Sequence, residues 1–165
     1  EGGIRVPMIV TGPGIKTGSR CDVNVVGYDF LPTFVDLAGG SMEKLRDIDG
    51  VTITPLLKGK RDRELAKRFL YFHYPHHRNT APHSVVLQGD YKFFRFYEKP
   101  DSHYLYNLKY SIGEKENIAP QNKALVTRLA AEMDRYHKAI KACLPKPNPD
   151  AAIGYVPFDP DKTWE

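Results

Sequence analysis

Hydrophobic and polar positions recur along this chain with two different periods, and the change of period divides it. Between residues 69 and 108 the rhythm is short and the residues are aromatic or β-branched. Phe69-Leu70-Tyr71-Phe72-His73-Tyr74 reads as a strand ended by Pro75. Ser84 to Gln88 and Tyr91 to Tyr97 flank Gly89-Asp90, a hairpin signal. A fourth run, His103 to Leu108, follows a turn around Pro100-Asp101. These four runs predict a small, mostly antiparallel sheet. On either side the apolar steps lengthen to three and four residues. Phe30, Phe34 and Leu37, with Leu31 and Ala38, predict a helix over 28–38. Asp29 serves as its N-cap, Pro32 lies in its first turn, and Gly39-Gly40 supplies a left-handed stop. Leu125, Leu129, Met133, Tyr136, Ile140 and Leu144 form the stripe of a second helix, over 121–144, that covers one face of the sheet. Pro120 marks its start and Pro145 its stop.

The remaining segments are shorter. Val6-Pro7-Met8-Ile9-Val10-Thr11 reads as one buried strand running into the turn Gly12-Pro13-Gly14. Ser41 to Gly50 is polar, and its Asp47-Ile48-Asp49-Gly50 is read as a turn, since an EF-hand loop needs more oxygen ligands and a later glutamate. Thr54 to Leu57 predicts a short helix, and the charged string Lys58 to Arg68 marks a boundary. Residues 146–165 are proline-rich, without periodicity, and expected to be extended. Strands followed by a helix argue for an α+β unit. The opening strand and helix fit instead as the last piece of a larger α/β domain. The chain opens on a structured segment without Met, so it reads as part of a longer protein.

Composition narrows the function classes. The formal net charge is +4, so mild attraction to anions is expected, but no window holds the basic cluster of a nucleic-acid arm. No run approaches the ~20 apolar residues of a membrane-spanning helix. Cys21 and Cys143 lack any CxxC or CxxH spacing, leaving one disulfide or two buried thiols open.

Histidine is the residue type that points to chemistry. His73, His76, His77 and His83 fall at the end of one strand and in the loop after it, where functional groups are commonly displayed. They could hold a metal, recognise an anionic substrate together with Arg78, or decorate a surface loop. The metal reading lacks a nearby cysteine or a suitably spaced carboxylate. Ser84 follows His83 directly, and neighbours in a strand face opposite ways, so those two cannot act as nucleophile and base. The ten tyrosines could stack on sugars or form the half-buried face of a sheet. Glu1 and Arg5 could pair with each other.

Several segments, in order, resemble the C-terminal part of type I sulfatases of the alkaline phosphatase-like superfamily. They are Glu1-Gly2-Gly3-Ile4-Arg5-Val6-Pro7, the stretch Val23 to Gly39, and Asp49-Gly50-Val51 followed by Pro55-Leu56-Leu57-Lys58-Gly59. Further on come Gln88-Gly89-Asp90-Tyr91-Lys92, Tyr104 to Leu108, Gly113-Glu114, and Glu116 to Ala119. The resemblance implies hydrolysis of sulfate esters or sulfamates by a formylglycine nucleophile with bound calcium. It also implies that the nucleophile, the calcium ligands and the lysine just before the Glu1-Gly2-Gly3 stretch lie upstream. No catalytic residue and no metal ligand is therefore assigned within the chain. A substrate-binding role is implied for His73 first and for His76 and His77 next, while Arg5 is read as structural support of the site.

The expected fold is thus an alkaline phosphatase-like α/β piece. Residues 1–58 end the large domain, 59–145 form a small subdomain of a four-stranded antiparallel sheet packed on a C-terminal helix, and 146–165 form a tail. The expected function is that of the C-terminal part of a sulfatase acting on sulfated carbohydrates, inactive alone and partnered by the rest of its own catalytic domain. An extracytoplasmic location (periplasmic, secreted or lysosomal) follows from the resemblance. A related phosphodiesterase or phosphotransferase, and a non-catalytic basic glycan- or nucleic-acid-binding module, are the alternatives. Loss of the larger domain would expose the Val6–Val10 segment and the Phe30/Phe34 face.

Overall fold

A computed structural model describes residues 1–77, 80–146 and 148–150. Arg78 and most of the expected tail lie outside the described residues. The chain forms two compact units, Arg5–Arg68 and a second comprising Glu1–Ile4 with the chain from Phe69 onward. The charged string 59–68 therefore belongs to the first unit, and Glu1–Ile4 to the second.

In the first unit, a 3-10 turn at Gly27–Asp29 leads into α1, Phe30–Leu37. Pro32 is accommodated in the first turn, where no intrahelical amide bond is lost. Gly39 takes φ 71° and α1 ends in a Schellman arrangement, Gly40 N–H to Val35 O at 2.8 Å and Gly39 N–H to Asp36 O at 3.0 Å. Two short helices follow, α2 (Thr54–Leu57) and α3 (Arg63–Lys67). Asp62 caps α3, accepting from Leu65 N–H at 2.9 Å.

Asp29 does not cap α1: its side chain takes no bond from the helix's first turn. Fully buried, it accepts from Val26 N–H at 2.9 Å, Val51 N–H at 3.2 Å and Arg68 Nη1 at 2.8 Å, and Arg68 Nη2 bonds its other oxygen. Buried Thr33 extends the hub, giving its hydroxyl proton to Asp29 O and accepting from Ile53 N–H at 3.0 Å. Gly50 is pressed against the Tyr28 carbonyl so closely that any Cβ would collide with backbone. Polar bonds thus organise this unit, and its apolar helix face does not. Phe30, Leu31, Phe34 and Leu37 are all exposed.

The expected strand over Val6–Thr11 is not formed. No described segment pairs with it, and a strand without a partner leaves its backbone groups unbonded. Val6 is 77% and Ile9 93% exposed, so the expected exposure of this segment is observed.

The second unit holds the predicted meander: β1 (Phe69–Tyr74), β2 (His83–Gln88), β3 (Tyr91–Phe96) and β4 (His103–Asn107), antiparallel in the order β1-β2-β3-β4. Gly89, at φ 56°, makes the tight hairpin between β2 and β3. The register pairs His73 with Ser84, Ser84 with Arg95, and Val86 with Tyr71 and Phe93. By the period-two pleat these residues share one face. On that face packs α4, Lys123–Ala139. Val86, Phe93 and Leu105 from the sheet meet Val126, Leu129 and Met133 from the helix, and all are buried.

The buried stripe of α4 is Val126, Leu129, Met133 and His137, rotated from the one expected. Ile140 and Leu144 are exposed, and the helix stops at Ala139 rather than Leu144. Lys141 adopts φ 51°, and Ala142 N–H bonds His137 O at 2.9 Å, closing a Schellman stop on a non-glycine residue well before Pro145. Neither cysteine is a buried thiol or half of a disulfide: Cys21 and Cys143 are free and exposed.

Candidate functional site at the end of β1

The pleat divides the histidines. His83 points to the sheet face opposite α4, where its ring lies 5.3 Å from Phe96 and 5.7 Å from Phe94, centroid to centroid. Its Nδ1–H donates to Ala81 O at 2.8 Å. Burial, chiefly, holds its pKa below the usual imidazole value. It is thus a half-buried member of the aromatic cluster on that face.

His73 lies on the α4 face, and both ring nitrogens are engaged. Nε2 stands 3.0 Å from Cys143 O and Nδ1 stands 2.7 Å from Ser84 Oγ. Ser84, 1% exposed, is also 2.7 Å from Tyr97 OH and 3.0 Å from His137 Nε2. Tyr97 OH lies 3.3 Å from His73 Nδ1. Burial, then the proximity of His73, lowers the pKa of His137. Burial raises that of the Tyr97 phenol against its hydrogen bond with Ser84. Ser84 is too enclosed to reach a substrate, so this polar network holds structure and offers no nucleophile.

His76 and His77 are exposed. His76 meets the Tyr74 ring edge-on at 6.0 Å, and His77 Nε2–H donates to Glu98 Oε1 at 2.6 Å. Two exposed imidazoles thus stand at the end of β1, one against an aromatic ring and one paired with a carboxylate. Arg5 is exposed and belongs to the other unit.

Sequence reading did not find Ser84, Tyr97, Glu98 or His137. The partners of Ser84 lie on other strands and on α4, far from it in sequence. For His137 the signal was present: it follows Met133 by four residues, on the stripe. Among the described residues no three His, Cys, Asp or Glu side chains converge as a metal would require.

With this geometry in place, the likeness to known proteins can be judged. The profile of the family described as N-sulphoglucosamine sulphohydrolase, C-terminal, matches residues 1–139. A sulfatase of Formosa agariphila is 32% identical, over 94% of this chain and 33% of that relative. The N-acetylglucosamine-6-O-sulfatase of Bacteroides thetaiotaomicron is 30% identical, over 80% of this chain and 25% of its own length. A solved structure in complex with its substrate D-glucosamine-2-N,6-O-disulfate superposes with a TM-score of 0.61 at 29% identity, covering 77% of this chain and 26% of that one. The chain thus spans a third or less of the length of these relatives. The meander, the helix on it and the ordered motifs agree with these matches, and the chain belongs to the sulfatase family of the alkaline phosphatase-like superfamily, as its C-terminal region.

Proposed function

We propose that this chain is the C-terminal part of an enzyme that removes sulfate from a sulfated glucosamine-type carbohydrate, and that the loop after β1 helps to seat the substrate. The observation that carries the reading is the exposed His76 and His77 beside half-buried Glu98, in a chain similar to an N-acetylglucosamine-6-O-sulfatase over most of its length. Imidazole N–H groups suit sulfate oxygens, and the Glu98 carboxylate suits a sugar hydroxyl. His73, whose two nitrogens are both engaged, supports that loop from beneath.

Calcium would supply charge stabilisation at the transferring sulfuryl group. The family resemblance puts the residues that would hold it upstream of this chain. The rest of the catalytic domain would also cover the exposed apolar residues Val6, Ile9, Phe30 and Phe34.

The test is kinetic. In the intact protein, His77→Ala should raise KM for glucosamine 6-sulfate about ten-fold, as expected for one charge-assisted bond at a partly solvated site, with kcat held within about two-fold. His76→Ala should act in the same direction. An unchanged KM in both variants removes this loop from the pocket. A wild-type protein that cleaves no sulfated glucosamine refutes the substrate reading.

A further inference from the structure

The network under the loop joins four side chains and a carbonyl. The Cys143 carbonyl can only accept, so His73 Nε2 carries a hydrogen toward it. Nδ1 is then the acceptor, and the Ser84 hydroxyl, at 2.7 Å, is the nearer of two that reach it, with Tyr97 at 3.3 Å. Donating there leaves the Ser84 oxygen two lone pairs. Two donors address them: the Tyr97 hydroxyl at 2.7 Å and His137 Nε2–H at 3.0 Å. With Ser84 1% and His137 8% exposed, solvent has little access to replace any of these bonds.

Its place in the sheet matters as much as its chemistry. The β1–β2 ladder pairs His73 with Ser84 and ends one step later at Tyr74 with His83. Beyond that step the strands part, and the loop bearing His76 and His77 begins. Helix α4 and the residues after it reach the same point through His137 and the Cys143 carbonyl.

We propose that Ser84, Tyr97 and His137 are positioning residues for substrate binding, acting through His73. Through the bonds at Nδ1 they hold the orientation of its ring and so fix the fork from which the His76/His77 loop departs. This rests on the reading that the loop seats the substrate, and it adds three residues that never touch it. Ser84→Ala removes the nearer of two hydroxyls that reach His73 Nδ1, at 2.7 Å against 3.3 Å for Tyr97, and Tyr97→Phe removes the farther one.

The experiment uses the intact protein with glucosamine 6-sulfate as the probe and two readouts. The first is the 15N shift pattern of the His73 ring. It should report an unprotonated, hydrogen-bonded Nδ1 in the wild type and the loss of that bond in Ser84→Ala. The second is the split between KM and kcat. Ser84→Ala should raise KM about five-fold with kcat within about two-fold, the loss expected of one hydrogen bond relayed to the loop. Tyr97→Phe, which keeps the ring, should move both readouts in the same direction by less. His137→Gln, which retains an N–H donor, should stay near wild type where His137→Leu does not. A Ser84→Ala protein with an unchanged Nδ1 shift overturns the proposal. So does a lost Nδ1 bond with unchanged KM while His77→Ala raises KM. If KM is unchanged in His77→Ala as well, the pocket reading falls with it, and the Nδ1 shift separates the two failures.

Discussion

Asp29→Asn is the sharpest probe of how the Arg5–Arg68 unit is held. The wild-type carboxylate is fully buried and accepts from two backbone amides and both terminal nitrogens of Arg68, which is itself 16% exposed. Asparagine keeps the shape but offers one acceptor oxygen and turns an NH2 toward a donor. It also leaves the guanidinium without its counter-charge. Breaking a buried pair by removing one partner costs ~3–5 kcal/mol, and partial access of water to Arg68 points to the lower figure. With a urea m-value of ~2 kcal/mol/M, the midpoint should fall by about 1.5 M, and the amides of Val26 and Val51 should exchange faster. The pH dependence adds a second check. Burial pushes the Asp29 carboxyl up, but the Arg68 and backbone hydrogen bonds and the Arg68 charge outweigh it and hold it below the usual carboxylate range. A folded value below the unfolded one, about 3.9, contributes stability that is complete above that pH and lost as pH falls through the folded value. The gap between wild type and variant should therefore be constant from neutral pH to about 5 and should narrow below about 4. A midpoint loss under about 0.5 M, or a gap as wide at pH 3 as at pH 7, would refute this account.

Two further outcomes follow from buried charge in the second unit. Lys92 is 3% exposed and stands between Glu1, at 2.6 Å, and Glu114. Lys92→Met should cost about 3 kcal/mol at pH 7 by leaving two carboxylates without their cation, and a loss under about 1 kcal/mol in urea titrations would contradict this. His83 and His137 both have pKa values lowered chiefly by burial. Folded values below the unfolded ~6.5 give stability that is complete above that pH and lost as pH falls, so Tm should drop between pH 7.5 and 5.5, and His83→Phe should flatten the slope. A Tm that does not change over that range would count against the buried-imidazole reading.

Much of the sheet was legible because its signals are local. Gly89-Asp90 fixes a hairpin, and the aromatic runs on either side fix the strands, so their bounds came within a residue or two. What failed depended on groups far apart in sequence. The Val6–Thr11 run has strand composition, yet a strand needs a partner, and none is present among the described residues. The end of α4 is set by Lys141 at positive φ, a conformation that its residue type does not announce. Asp29 stands where a cap belongs, but Arg68, from the far end of the unit, takes it instead. The site shows the same contrast. Four neighbouring histidines suggested one cluster, but the pleat sends His83 to the other face, and His137 joins His73 across Ser84. Helix α3 was missed although Asp62 and Leu65 carry an ordinary cap signal, because the charged string around them hid it.

The motifs that carried the family resemblance gain a physical cause when their contacts are traced. Glu1 opens the first of them, Lys92 closes the hairpin motif and Glu114 follows Gly113 in a third, yet the three side chains meet in one buried ion cluster. Lys92 reaches it because the period-two pleat turns it away from α4 while Phe93 faces the helix. Glu114 reaches it from a backbone at φ 55°. A buried charge is tolerable only with its partners present, so each of these residues makes the other two necessary. Asp29, Gly50 and Arg68 stand in the same relation in the first unit, where one carboxylate is shared by two amides and a guanidinium, and a glycine lets the backbone of Tyr28 close in. Segments that look modest singly are thus specific in combination, because the physical unit is the cluster, and its members are drawn from distant parts of the chain.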